Sequence, residues 1–192
     1  LGIGSDEGLY FLNPETGSYT KAGPFNQVPD GVDSYSFMVM DGDKTVWVSL
    51  NGGLLRFAEG EKEPEFLTTL GEKNFSLAGI AINSMTLTSD GSIWIATGAS
   101  GALQFHPSTN ILTQFKSDAG NGESIFENTV FDILEDMDGN IWFGHAGNGM
   151  SMMYHKAWNY TFKKIIDTDD PTALSNSISG IEPDADDNLW VA

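Results

Sequence analysis

Short apolar segments alternate with turn residues along the whole sequence, and this pattern predicts β-strands throughout. Residues 130–135 are rich in β-forming side chains, and a second apolar segment, 141–144, follows the turn pair Asp138-Gly139. An Asp-Gly pair between apolar segments supplies the positive φ angles that a tight hairpin requires. No stretch of ten or more residues has the 3.6-residue apolar periodicity of an amphipathic helix. The sequence therefore predicts an all-β protein.

A tryptophan recurs at intervals of 47, 48 and 48 residues and marks an internal repeat. Each of these tryptophans follows a turn signal and an apolar residue, and a β-branched or aromatic residue and then a small one come after it. The four positions are Trp47, Trp94, Trp142 and Trp190. An earlier copy has Gly2 in the place of the tryptophan, so we expect about four repeats in a chain that begins and ends within one.

Each repeat has room for four short antiparallel strands. Repeats of about 40–50 residues with four strands each are typical of β-propellers, in which each repeat forms one blade. We expect a partial blade at 1–21, blades at about 35–69, 80–116 and 130–165, and a partial blade at 178–192. A blade has two apolar faces that only neighbouring blades can cover, and the tryptophan is expected to pack between them. The chain is then part of a larger ring, with closure into a four-bladed ring as the alternative.

The charge balance excludes two classes of partner. The chain has 9 Lys and Arg residues against 27 Asp and Glu residues, a formal net charge of −18. Nucleic acids and anionic membrane surfaces are bound by clustered basic residues, and the nearest thing to a cluster here is Lys163-Lys164. No apolar run approaches the ~18 residues of a membrane-spanning helix, and no signal segment opens the chain. We therefore expect no nucleic-acid partner and no membrane insertion.

Motifs for catalysis, metals and cofactors have only weak counterparts here. The sequence has no cysteine, which excludes disulfides, thiolate zinc sites and cysteine nucleophiles. Residues 136–140 resemble the start of a calcium loop, but Ile141 and Gly147 stand where such a loop needs Gly and Glu. His106, His145 and His155 lack a shared ligand spacing, and no Gly-x-Ser-x-Gly elbow is present. The sequence thus predicts no metal, no cofactor and no catalytic residue.

Residues 136–144 have the pattern Asp-x-Asp-Gly-Asn-Ile-Trp-Phe-Gly, with Gly149 and an apolar strand after it. This pattern resembles the two-component regulator propeller repeat, and residues 169–178 resemble the segment that precedes each such repeat. The resemblance covers nearly the whole chain. It implies a seven-bladed propeller in the periplasmic sensor region of a hybrid histidine kinase, and hence a periplasmic or extracellular location. The kinase of such a protein would lie outside this chain.

Longer loops are expected to join the outer strand of one blade to the inner strand of the next, at about 24–34, 69–79, 117–128 and 167–177. They lie on the same face as the turns after each tryptophan, and binding residues concentrate on loops that a rigid scaffold holds. Aromatic and amide side chains there suit a sugar or peptide ligand, with capping of the blades as their alternative role. The candidate ligand-binding residues are Asn26, Tyr35, Asn74, Phe75, Asn121, Phe126, His145 and Asn148.

Three functional hypotheses follow from these patterns. The first is a non-catalytic extracytoplasmic propeller of a two-component regulatory system, which senses a small molecule or glycan and passes a rearrangement to a kinase outside this chain. The second is a lyase-type propeller resembling streptogramin lyase. Such an enzyme would need a base and a divalent metal, with His145 as the one candidate. The third is a structural interaction scaffold that forms a homodimer.

Overall fold

The structure is a computed structural model that describes residues 2–5, 8–22, 37–50, 52–59, 61, 63–147, 149–154, 162–165, 178–186 and 188–192. In these residues the regular elements are all β-strands, and every pair of neighbouring strands is antiparallel. Three of the sheets have four strands each, in sequence order. The predicted all-β fold of four-stranded antiparallel blades is therefore confirmed. No helix in the described part of the chain is long and apolar enough to cross a membrane.

The chain divides into two compact units, of which the first is Leu1–Ile80. This unit holds a three-stranded sheet, a four-stranded sheet and a short hairpin. The three-stranded sheet consists of β1 (Gly2–Ser5), β2 (Gly8–Leu12) and β3 (Tyr19–Ala22). The four-stranded sheet consists of β4 (Met38–Met40), β5 (Val46–Leu50), β6 (Gly53–Phe57) and β7 (Glu65–Leu67). The hairpin consists of β8 (Thr69–Leu70) and β9 (Phe75–Ser76).

The second unit, Ala81–Ala192, holds two four-stranded sheets and a strand pair. The first sheet consists of β10 (Ile82–Leu87), β11 (Ile93–Thr97), β12 (Ala102–His106) and β13 (Ile111–Phe115). The second consists of β14 (Val130–Glu135), β15 (Ile141–His145), β16 (Met150–Met153) and β17 (Phe162–Ile165). The pair consists of β18 (Ile181–Pro183) and β19 (Leu189–Val191).

An aromatic cluster lies between the two four-stranded sheets of the second unit. Trp94 stacks on Phe115 of its own sheet, with ring centroids 5.2 Å apart, and meets Phe143 of the next sheet edge-on at 5.5 Å. Phe162 completes the cluster, 5.6 Å from both Phe115 and Phe143. Aromatic pairs at these separations add to the stabilisation that their buried area provides. Trp94 therefore packs between neighbouring sheets, as expected, whereas Trp190 at the same repeat position is 68% exposed.

Hydrogen bonds also join the first strands of successive sheets in the second unit. The Ser84 hydroxyl on β10 donates to Oδ1 of Asp132 on β14, at 2.7 Å. The backbone N–H of Ile181 on β18 donates to the other oxygen of Asp132, at 2.9 Å. The Asn83 side-chain amide donates to the Val130 carbonyl at 2.8 Å. A single carboxylate thus links three successive first strands.

The first hairpin of three repeats is closed by an aspartate that binds the tryptophan indole. In the third four-stranded sheet, Asp136 accepts hydrogen bonds from the backbone N–H groups of Asp138 (3.0 Å) and Asn140 (2.8 Å). It also accepts the indole N–H of Trp142 at 2.7 Å. The same pairing, six residues apart, joins Asp41 to Trp47 at 2.9 Å and Asp184 to Trp190 at 3.0 Å. One aspartate thus fixes both the turn and the orientation of the indole ring. This explains why the aspartate and the tryptophan are six residues apart in these repeats.

Asp136→Ala is expected to lower the free energy of unfolding by about 2 kcal/mol, because it leaves several donors to a charged acceptor without a partner. Burial would raise the pKa of Asp136, but hydrogen bonds from Trp142 and Asn140 outweigh it and hold that pKa below its usual value. This carboxylate therefore stabilises the fold at neutral pH, and the contribution is lost as the pH falls through the lowered pKa.

The measurement is urea unfolding at pH 7 and at pH 3, with Asp138→Ala as the control because Asp138 is exposed in the same turn. The control is expected to cost less than about 0.5 kcal/mol. Equal losses in the two variants at pH 7 would contradict the assigned role of Asp136.

Candidate functional site

A cleft of about 320 Å³ opens in the second unit between sheets β10–β13 and β14–β17. It lies at the end of the sheets where the first hairpin turns are, opposite the turns that follow the tryptophans. Its volume is at the lower end of the range for small-molecule sites. The lining residues are Thr88, Ser89, Asp90, Trp94, Gln104, His106, Glu135, Gly139, Ile141, Met153 and Tyr154.

Gln104 presents a buried amide oxygen in this cleft. The side chain is 6% exposed, and its Nε2 donates to the Ser92 hydroxyl oxygen at 3.1 Å. A hydroxyl has one proton, and that of Ser92 is donated to Asp90, so Ser92 can only accept from the amide. This orients the amide with Nε2 towards Ser92. No donor among the described residues reaches the remaining oxygen, Oε1. An unpaired buried acceptor costs about 1–3 kcal/mol, so this oxygen favours a ligand that donates to it.

Trp94 differs from the other repeat tryptophans in what surrounds its indole N–H. Thr88 stands six residues before it, where the other three repeats have an aspartate. The Thr88 hydroxyl donates to Asp90 at 2.7 Å. In the part of the chain that the structure describes, the Trp94 indole N–H has no hydrogen-bond acceptor. Trp94 and Gln104 are direct cross-strand partners on β11 and β12, so their side chains are neighbours on the same face of the sheet.

Two carboxylates give the cleft a negative charge. Burial would raise the pKa of Asp90, but hydrogen bonds from Ser92 and Thr88, with a smaller contribution from the charge of His106, lower it below its usual value. Asp90 is therefore ionised at neutral pH. Glu135 accepts the backbone N–H of Ser89 at 2.6 Å and its hydroxyl at 2.7 Å. The described residues of the lining include no Lys or Arg, so this part of the cleft favours ligands that donate hydrogen bonds and disfavours anions.

Three of the residues predicted from the loops to bind a ligand, Asn26, Tyr35 and Asn148, lie outside the described residues. In the first unit, Asn74 is exposed at the turn between β8 and β9, with a φ of 52°, and Phe75 follows it, half-buried, on β9. The structure thus places Asn74 as a turn residue. Its role in binding stays a prediction.

The other predicted residues lie in the second unit around segment 117–129. Asn121 is exposed, and its side-chain oxygen accepts the backbone N–H of Glu123 at 2.9 Å. Phe126 donates its backbone N–H to the Ser151 hydroxyl at 2.9 Å. His145 is fully buried, shares a 2.8 Å hydrogen bond between Nε2 and the same hydroxyl, and meets the Phe126 ring edge-on. The structure thus brings Phe126 and His145 together at the Ser151 hydroxyl. Among the described residues, Asn121 forms its hydrogen bonds within residues 118–124.

Gln104, Asp90 and Glu135 are not among the residues predicted from the sequence. Two departures from the repeat pattern distinguish the repeat that contains Gln104. Thr88 breaks the aspartate pattern of the hairpin turns, and the position opposite the tryptophan on the third strand holds Gln104 where the other sheets have Arg56 and Met152. Among the described residues, no group of three His, Cys, Asp or Glu is placed to hold a metal ion.

Comparison with solved structures gives propeller proteins that resemble the whole chain in fold. The extracellular domain of the putative one component system BT4673 from B. thetaiotaomicron matches with a TM-score of 0.60 and 17% identity, over 100% of this chain and 31% of that one. The extracellular domain of the putative hybrid two component system BT3049 from B. thetaiotaomicron matches with a TM-score of 0.69 and 21% identity, over 96% and 22%. The chain therefore spans a third or less of the length of these proteins.

A virginiamycin B lyase from Staphylococcus aureus, in a catalytically inactive form with quinupristin, also matches. Its TM-score is 0.62 and its identity 18%, over 100% of this chain and 61% of that one. Similarity at these identities reflects a shared fold. Comparison with curated proteins gives no significant match.

The family comparison agrees with the resemblance found in the sequence. Residues 124–147 match the family model described as two component regulator propeller. This segment contains the aspartate turn and Trp142, the features on which the resemblance was based. Residues 124–147 therefore carry a repeat of the two component regulator propeller type, and the similar structures show that the chain as a whole shares the propeller fold.

Proposed function

We propose that this chain is a non-catalytic, extracytoplasmic ligand-binding propeller of a two-component regulatory protein, and that the cleft between β10–β13 and β14–β17 is its binding site. The observation that carries the proposal is the Gln104 amide oxygen, which is buried, fixed in orientation and without a donor among the described residues. The family match and the extracellular domains among the similar structures support the regulatory context and the location outside the cytoplasm.

The position of the cleft suggests how binding would be transmitted. Its walls belong to two neighbouring blades, which the Ser89–Glu135 and Ser84–Asp132 hydrogen bonds join. A ligand that contacts both walls would favour one spacing of the blades over others. Binding can shift a conformational equilibrium only through such differential affinity. The shifted arrangement would then be passed to a kinase outside this chain.

The lyase hypothesis has the similar propeller from S. aureus in its favour. His145, the one base that the sequence offered for it, is fully buried and held by Ser151. A general base must come within hydrogen-bond distance of the proton that it removes. Because His145 is fully buried, a substrate at the surface does not come within this distance of its ring. Binding without turnover is therefore the function that the geometry supports best.

A thermal-shift screen of sugars, amines and short peptides tests the proposal. At a ligand concentration of about 100 Kd, a site-specific ligand is expected to raise the Tm by about 5–10 °C. Gln104→Leu should abolish this rise. Gln114→Leu is the control and should retain the rise in Tm. Gln114 belongs to the same sheet, and its side chain donates to the Ser100 carbonyl. Chromatography after incubation should return the compound unchanged, and quinupristin should also remain intact.

Two results would overturn the proposal. Stabilisation that persists in Gln104→Leu would place binding elsewhere, and conversion of a bound compound or of quinupristin would make the protein an enzyme.

A further inference from the structure

We infer that the cleft takes a small hydroxylated primary amine, a molecule with one ammonium group and at least one hydroxyl. The inference rests on the proposed function, because it assigns the chemistry of the ligand in that cleft. Three features of the lining carry it: the charge of the walls, the Gln104 oxygen and the Trp94 indole N–H.

The charge of the walls selects a cation over an anion. Asp90 and Glu135 come from the two neighbouring sheets, and His106 is the only basic side chain among the described residues of the lining. The intramolecular hydrogen-bond donors to these carboxylates are hydroxyl and backbone N–H groups, which carry no formal charge. In a partly desolvated cleft, a charge at a few ångströms interacts several times more strongly than in bulk water.

The Gln104 oxygen requires a donor, and an ammonium group has three. Gln104 lines the cleft and is 6% exposed, and its amide is held by Ser92. A ligand nitrogen that donates to Oε1 can direct its other N–H groups to the carboxylates. Charged donors form stronger hydrogen bonds than neutral ones, so the ammonium group uses this acceptor better than a hydroxyl does.

The Trp94 indole N–H has no acceptor among the described residues and can donate to a ligand acceptor, which an ammonium group cannot supply. Because Trp94 and Gln104 are cross-strand partners, the ligand must present an acceptor close to its donor. A hydroxyl next to the amine meets this requirement. A simple alkylammonium ion would leave the indole N–H unpaired, so the feature distinguishes a hydroxylated amine from an amine alone.

The test uses three molecules with the same carbon chain that differ at one end: D-glucamine with an ammonium group, D-sorbitol with a hydroxyl and D-gluconate with a carboxylate. Alkylammonium groups such as that of lysine have a pKa of about 10.4, so D-glucamine is a cation at pH 7.5. Titration calorimetry on the full chain is expected to show D-glucamine binding about tenfold more tightly than D-sorbitol, and no binding of D-gluconate.

Three variants locate the effect. Glu135→Gln is expected to weaken D-glucamine about tenfold and to leave D-sorbitol unchanged. Gln104→Leu should abolish both. Glu123→Gln, which removes an exposed charge on segment 117–129, should change neither, and serves as the control for general attraction to a chain of net charge −18.

Equal binding of D-glucamine and D-sorbitol, both lost in Gln104→Leu, would overturn the amine inference and leave the proposed binding site intact. Equal weakening by Glu135→Gln and Glu123→Gln would also overturn the inference, because the amine would then respond to net charge alone. If none of the three molecules binds, the inference fails. The thermal-shift screen then decides separately whether the cleft binds any other compound whose stabilising effect is lost in Gln104→Leu.

Discussion

Trp94→Ala is expected to lower the free energy of unfolding by about 3–5 kcal/mol, the range for removing a large aromatic side chain from a core. Trp94 is 1% exposed and contacts Phe115 of its own sheet and Phe143 of the next. Its removal leaves a cavity between two sheets that their backbones cannot close. Urea unfolding followed by far-ultraviolet circular dichroism measures the effect.

Trp190→Ala is the matched control, because Trp190 occupies the same position in its own repeat but is 68% exposed. Its loss is expected to cost less than about 1 kcal/mol, chiefly through the hydrogen bond to Asp184. Equal costs for the two substitutions would contradict the assigned role of Trp94 in packing between sheets.

Gly101→Ala is expected to be the most damaging glycine substitution in the second unit. Gly101 has a φ of 78°, and a Cβ atom there would overlap the carbonyl oxygen of Phe115 on the neighbouring strand. A positive φ costs an L-residue about 1–2 kcal/mol. Overlap with a backbone atom adds about 1–3 kcal/mol, because the strand must move away. The free energy of unfolding is therefore expected to fall by about 2–5 kcal/mol.

Gly91→Ala separates the two contributions. Gly91 has a φ of 80°, but a Cβ atom would have no neighbour within 4 Å. Its substitution should show the conformational cost alone, about 1–2 kcal/mol in the same unfolding measurement. A Gly101→Ala loss no larger than that of Gly91→Ala would contradict the close approach of the chain to Phe115.

The strands and their grouping in fours were predictable because their signals are local. The interval between tryptophans gives the repeat length, and the Asp-Gly pairs mark the hairpins. The burial of each tryptophan was not predictable, since it depends on the sheet packed against it. Trp94 is buried against a neighbouring sheet and Trp190 is largely exposed, although both occupy the same repeat position. The hydrogen bond between indole and aspartate corresponds to a six-residue spacing that recurs in three of the four repeats.

The candidate site was harder to predict than the fold. Sequence reasoning favoured the long loops, because binding residues often lie on loops, but the cleft lies at the opposite end of the sheets. Gln104 becomes a site residue only through its pairing with Trp94 across two strands and through the hydroxyl of Ser92. Such relations depend on strand register, which the repeat period does not specify. The burial of His145, a candidate for ligand binding, likewise depends on the residues packed around it, which its place beside a glycine-rich turn does not specify.

In the proposed function, a ligand binds between two blades at the end where the first hairpin turns lie. A crystal structure of the chain with the strongest stabiliser from the thermal-shift screen tests it most directly. We expect the bound molecule in the cleft, with a donor on Oε1 of Gln104 and an acceptor facing the Trp94 indole N–H. A molecule bound instead at segment 117–129, with the cleft unchanged, would contradict the claim.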